Sequence, residues 1–131
     1  MSYLIDTDVL IDGLQRRVST VELPHTLAPH GVAISIISVG EIYEGAFATT
    51  DAARHMANAR TFVQDFVVLG LTDNVREVFA RERAALRRSG QRIADMDMLI
   101  GATAVSYDLE LVTRNERHFR RINGLRLLMP S

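Results

Sequence analysis

The chain has no cysteine and no lysine, and only three of its 131 residues are proline. Without thiols there is neither a disulfide framework nor a thiolate metal site, which suits a reducing compartment. Without lysine, all fifteen basic side chains are arginines. Also missing is any apolar run near the roughly 18 to 20 residues that span a bilayer. The first residues lack the basic stretch, apolar core and small-residue cleavage site of a secretory signal. Nothing reads as a linker. The expectation is a soluble, cytoplasmic protein with no membrane contact, residues 1–131 forming one domain. What is present agrees: 47% hydrophobic and 24% charged residues are a globular composition, at a length that buries a substantial core.

The formal net charge of −1 conceals an asymmetry. Residues 1–80 carry five arginines against ten acids, whereas residues 81–131 carry ten arginines against six acids. Arginine keeps its charge and grips phosphate with a bidentate fork, so the basic C-terminal third suits nucleic-acid contact. Arginine-only usage equally reflects genomic base composition, and charge patches also arise on solvated faces.

The stretch that organises the chain is YLIDTDVLID, residues 3–12. An apolar run from Tyr3 ends on Asp6 without a turn signal, which is how a buried parallel strand presents a carboxylate at the ligand-binding edge of an open α/β sheet. A short helix follows Asp8 and runs through Leu14. Thr20 is placed to cap a second helix within Ser19–Gly31, kept short by Pro24 and Pro29. Val32–Ile37 is β-branched and short, a second strand. Ser38 then caps a helix, with Glu41 at the capping-box position. Glu41 either reaches back to that cap or projects over the same edge as Asp6, while Glu44 is solvent-facing or peripheral. A helix from Thr50 or Asp51 to Gln64 buries Ala52, Met56, Ala59 and Val63, and Phe66–Leu69 is a third strand. The long helix from Thr72 or Asp73 through Arg88 buries Val75, Phe79 and Leu86. Its exposed face carries Arg76, Arg81, Glu82, Arg83, Arg87 and Arg88, and Ser89-Gly90 stops it.

The second informative stretch is residues 94–119, ADMDMLIGATAVSYDLELVTRNERHF. From Met96 to Val105 nearly every residue is apolar or small, so this helix is buried on most sides, with Gly101, Ala102 and Ala104 permitting close approach to a sheet. A carboxylate in such a helix is costly unless it is exposed or compensated by a cation. Asp97 shares a face with Ile100, Gly101 and Ala104 and is the ligand candidate; Asp95 points elsewhere and reads as an N-cap. Leu109–Thr113 is a fourth strand ending on polar groups, and Leu125–Met129 a fifth. Strands alternating with helices predict a parallel sheet covered on both faces. Carboxylates gathered at one sheet edge, with no cysteine and no well-spaced histidine pair, select hard cations such as Mg²⁺ or Mn²⁺, which serve phosphodiester displacement.

IDTDVLID with Asp6, SVGEIYEGA with Glu41, DMLIGATA with Asp97 and LVTRNERHF near the C-terminus together resemble the PIN domain, and look like the VapC toxins of bacterial type II toxin-antitoxin pairs. Nearly the whole chain is covered, and four motifs in this order are specific where one alone is weak. The resemblance implies a three-layer α/β/α fold with a mainly parallel sheet of four to five strands. It also implies a Mg²⁺- or Mn²⁺-dependent endoribonuclease, frequent homodimerisation and neutralisation by a VapB-type antitoxin. By position, Asp6, Glu41 and Asp97 match the family's acidic triad and metal ligands. The fourth catalytic position, an Asp in many relatives, is Asn115 here, and His118 stands where others often have another acid. An Asn offers only a neutral carbonyl oxygen, which bears on how many cations the free protein holds. Thr113 either orients Asn115 or a metal-bound water, or satisfies backbone groups at the strand end. Arg92, Arg114 and Arg117 are the candidates for RNA phosphate contact, with Thr113 beside them.

Two other readings belong to different classes. Asp6-Thr7-Asp8 after a first strand also resembles the nucleophile motif of haloacid-dehalogenase-type phosphatases, but such folds normally use a lysine at the phosphate site, and this chain has none. A PIN-like domain kept as a catalytically weak binding module is the second.

Overall fold

The computed structural model describes residues 2–15 and 31–130. The expected helix within Ser19–Gly31 falls, apart from Gly31, outside the described residues. Strands β1 (Tyr3–Ile5), β2 (Val32–Ser35), β3 (Val67–Leu69), β4 (Glu110–Val112) and β5 (Leu127–Leu128) alternate with helices. These are α1 (Thr7–Leu14), α2 (Ile36–Phe47), α3 (Ala52–Val63), α4 (Asp73–Ser89), α5 (Asp95–Ser106) and the short α6 (Glu116–Phe119). All strand pairs are parallel, in the order β3-β2-β1-β4-β5, so the first strand of the chain is the central one.

Alternation along the strands divides the core in two. Leu4, Ala33 and Leu111 point to one face and pack with Leu86, Met98, Ile100, Ala104 and Phe119 from α4, α5 and α6. Their neighbours Ile5, Ile34 and Val112 point to the other face and meet Val9, Leu10, Ile42 and Ala59 from α1, α2 and α3. Because successive side chains of a strand face opposite ways, consecutive buried apolar residues such as Leu4-Ile5, Ala33-Ile34 and Leu111-Val112 require helices on both sides. The result is the three-layer α/β/α arrangement that the sequence predicts. Among the described residues no helix is long and apolar enough to cross a membrane.

Several boundaries differ from the sequence reading. The run Val32–Ile37 is divided: Ser35 ends the strand and caps α2, its Oγ accepting from Ile37 N at 3.0 Å, so Ile36 and Ile37 are helical. Ser38, read as the cap, is instead a buried residue of that helix. A short apolar run does not reveal whether it is strand or helix, and the serine three residues earlier serves the cap. Likewise α5 starts at Asp95, after an Ala94 cap, so Asp95 is the first helical residue and not the cap. It pairs with Arg83 of α4 at 2.8 Å. In β3 only Leu69 is buried, because this strand forms a sheet edge. Gly101 faces Ile122, Phe119 and Leu125 of the C-terminal segment rather than the sheet, and a Cβ there would overlap the Ile122 side chain.

The largest departure is Glu82, whose charge suggests the exposed face of α4 yet which is only 6% exposed. It continues the stripe of Val75, Val78 and Leu86, all buried, and its Oε1 accepts from Asn123 N at 2.8 Å, clipping the C-terminal segment to α4. Arg81 Nε lies 3.5 Å from its other oxygen. Glu82→Ala orphans the Asn123 N–H and is expected to cost about 1–3 kcal/mol. Thermal melts followed by circular dichroism should show this as a fall of several degrees, with Glu82→Gln recovering most of it; equal melting of all three proteins would show that the clip contributes nothing.

Candidate active site

Asp6 lies where β1 ends and α1 begins, at the point where the sheet order reverses between β2 and β4. Crevices beyond such switch points are the usual ligand sites of open α/β sheets. Its Oδ1 accepts from Thr7 N at 2.8 Å, as an N-cap does, and its Oδ2 accepts from Thr113 Oγ1 at 2.7 Å. Asp6 N donates to Val112 O, so backbone and side chain are both tied to β4. The carboxylate is buried, and burial pushes its pKa from the ordinary 3.8 up to about 7. The Thr113 hydroxyl opposes this shift and the nearby Asp8 carboxylate adds to it.

Glu41, on the second turn of α2, does not close a capping box. Its Oε1 accepts from Thr7 Oγ1 at 2.7 Å, and that hydroxyl also lies 2.8 Å from Ser38 Oγ. A threonine hydroxyl has one proton, so with Thr7 donating to Glu41 it is Ser38 that donates to Thr7. Thr7 and Ser38, both buried, thus hold Glu41 toward β1. Asp97, in the first turn of α5, is half-buried. Its pKa is raised, first by burial and then by the charges of Glu41 and Asp8, while His118 acts the other way. Asp95 behaves in the opposite sense: the hydrogen bond from Arg83 holds its carboxyl below the ordinary range. The two aspartates of this helix therefore have separate environments.

Asp6, Glu41 and Asp97 are thus linked through Thr7 and through electrostatic repulsion at one sheet edge, and Asp8 joins them. The sequence left Asp8 and Thr7 without a role and suggested Ser38 only as a helix cap; the DTD spacing was the available signal for the first. Glu44 is exposed. The remaining candidates separate. Thr113 is fully buried, donating to Asp6 and accepting from Asn115 N at 2.9 Å, so it positions Asp6 and does not face solvent. Arg114 forms an ion pair with the buried Asp12 of α1, which commits its guanidinium to the fold. Arg92 and Arg117 are exposed, and the Arg92 carbonyl accepts from Arg121. Asn115 Nδ2 lies 3.2 Å from His118 Nδ1.

Among the described residues no three histidines or acids stand close enough to form a finished metal cage. The donor chemistry nevertheless fits a hard divalent cation. The donors are oxygen only, and the raised pKa values of Asp6 and Asp97 come first from burial and then from neighbouring carboxylates, an environment a cation would offset. A groove of about 320 Å³ lined by Ile11, Leu14, Ile42, Ala46 and His55 includes none of these acids.

Comparison with known proteins agrees with this geometry. The PIN domain family profile matches residues 3–125. Ribonuclease VapC2 of Haemophilus influenzae is 29% identical over 126 residues, covering 96% of each chain. The tRNA(fMet)-specific endonuclease VapC of Shigella flexneri is 28% identical with the same coverage. The crystal structure of DNA-bound VapBC from Salmonella typhimurium contains a chain with TM-score 0.92 and 26% identity, covering 100% of this chain and 99% of that one.

A carboxyl whose folded pKa is raised opposes folding when ionised. For Asp6 that penalty is absent below about pH 4, grows as pH rises toward 7, and is complete above it. Asp6→Asn removes the charge and keeps a carbonyl acceptor for Thr7 N, its amide nitrogen then donating to Thr113 Oγ1. In chelator at pH 8 it is expected to raise the melting temperature by on the order of 5 °C, with little difference from wild type near pH 4. Calorimetry at both pH values checks this, and a variant less stable than wild type at pH 8 would overturn the electrostatic account.

Proposed function

The chain belongs to the PIN-domain family, and from that premise we propose that it is an endoribonuclease toxin of the VapC type, acting in the cytoplasm and neutralised by a cognate VapB-type antitoxin. The observation that carries this reading is the gathering of Asp6, Glu41 and Asp97, with Asp8, at the switch point of the sheet. Residues 1–131 act as one PIN-like domain and associate as a homodimer. The named relatives are ribonucleases, and the VapBC structure supports a toxin-antitoxin assembly.

Asp6, Glu41 and Asp97 hold a Mg²⁺ or Mn²⁺ ion in this proposal. When bound, such an ion polarises the phosphoryl group and lowers the pKa of water. The protein's part is positional and electrostatic. Thr113 fixes the Asp6 rotamer and Thr7 fixes Glu41, so the ligands need little reorganisation. Arg92 and Arg117 contact RNA phosphates, and Asn115, the fourth site residue, sets the turn after β4. Water adds to phosphorus in line as the P–O3′ bond breaks; one water proton passes to O3′, leaving a 5′-phosphate and a 3′-hydroxyl. Asn115 carries no charge, which favours one cation over two.

Asp6→Asn and Asp97→Asn are each expected to lower RNA cleavage at least about 100-fold while the protein stays folded. Wild type should bind about one Mn²⁺ per chain by titration calorimetry, and chelator should abolish cleavage. Undiminished metal-dependent cleavage by either variant would sink the assignment of these residues. A wild type that binds no Mn²⁺ at neutral pH would favour a non-catalytic binding module.

A further inference from the structure

An edge lined with carboxylates repels the polyanion that a ribonuclease must hold, so positive charge has to be supplied beside it. Arg114, next to Thr113, is committed to Asp12. Two other stretches carry the charge. Residues 83–92, RAALRRSGQR, contain four arginines and no acid, and so do residues 117–126, RHFRRINGLR. The first covers the end of α4 and the turn before α5, and the second runs from α6 toward β5. The fold joins them at two points. Glu82 Oε1 accepts from Asn123 N at 2.8 Å, and Arg121 Nη1 donates to Arg92 O at 3.4 Å. The buried Glu82 clip thus sets one arginine-rich stretch against the other.

The meeting point is the start of α5. Arg83 Nε donates to Asp95 Oδ1 at 2.8 Å, and its guanidinium lies 5.9 Å from the centre of the Phe79 ring. The hydrogen bond from Arg83, and beyond it the charges of Arg92 and Arg87, lower the Asp95 pKa, so these three guanidinium groups share one neighbourhood. Arg121 reaches the same place through the Arg92 carbonyl. These four cations face one exposed carboxylate, on the helical turn that also carries Asp97. A guanidinium has five N–H donors, so a bond to Asp95 or to a carbonyl leaves others for phosphate. Resting on the ribonuclease reading above, we propose that Arg83, Arg87, Arg92 and Arg121 form one phosphate-binding surface alongside the acidic edge, which holds the RNA backbone outside the scissile bond. Such contacts position a strand without reading its bases, so this surface selects RNA by length and shape. Asp95 orients Arg83 within it and subtracts one charge from it.

The affinity of a fluorescein-labelled RNA hairpin, measured in chelator so that no turnover intervenes, tests the surface. Arg87→Ala and Arg121→Ala are each expected to weaken binding about 5- to 10-fold at about 0.1 M salt, and to lower the slope of log K against log salt by about one. Asp95→Asn should do the reverse and tighten binding. Arg54→Ala removes the same charge from α3, in the opposite helical layer, and should leave the slope unchanged. Unchanged slopes in both arginine variants overturn the surface, and so does a loss no greater than that of Arg54→Ala, which reflects net charge alone. Weakened binding of a polyglutamate peptide with RNA affinity intact assigns the surface to an acidic protein partner and overturns it too. Arg87 is exposed, so its substitution is read in the folded protein, and circular dichroism checks the Arg121 variant. Cleavage is a separate readout. A wild type that binds RNA through these arginines yet cuts none with Mn²⁺ present overturns the ribonuclease reading and leaves the surface standing.

Discussion

The hydrogen bond from Thr113 to Asp6 joins residues 107 positions apart and ties the end of β4 to the end of β1. Much of the molecule's arrangement can be traced from it. A carboxylate buried at the end of a central strand needs partners, and Thr7 N and the Thr113 hydroxyl supply one to each oxygen. Meeting that need fixes the first turn of α1, the turn after β4 and, through Asn115, the start of α6. The parallel register of β1 against β4, with Ile5 opposite Val112, brings the two strand ends level for this contact.

The acidic edge holds more negative charge than folding alone favours. Asp6 is pushed to about 7 and Asp97 is raised as well, so at neutral pH the protein carries an electrostatic cost at this edge. The double core offsets it. Leu4 and Ile5 on β1 and Leu111 and Val112 on β4 are fully buried beneath the site, and at roughly 25 cal/mol per Å² of apolar surface such burial outweighs one unfavourable carboxylate. Function and stability pull in opposite directions at Asp6, and on the proposed function a bound cation would reconcile them.

Much of this was legible in the sequence because it depends on period and position. The unbroken apolar runs of β1 and β2 require a doubly covered parallel sheet, and the carboxylates that follow strands belong at its edge. What sequence could not settle was how side chains choose among partners. Glu41 stands where a capping box would use it, but the cap moved to Ser35 and Thr7 took the carboxylate. Arg114 sits in a motif that suggests phosphate contact, yet a buried acid six residues beyond Asp6 pairs with it. Glu82 looked solvent-facing because it is charged, although its place in the i, i+3/i+4, i+7 stripe marked it as inward. In each case residue type suggested one environment and three-dimensional neighbours supplied another.

Placing the chain's first strand at the centre of the sheet also has a consequence for synthesis. β1 pairs with β2 and with β4, and its neighbour on the second side is made more than a hundred residues after it. A nascent polypeptide that stops before β4 lacks Thr113, Asn115 and His118, leaves one edge of β1 open, and has no partner for Asp6 Oδ2. Incomplete translation products of this gene therefore carry the acids of the site without the turn that organises them.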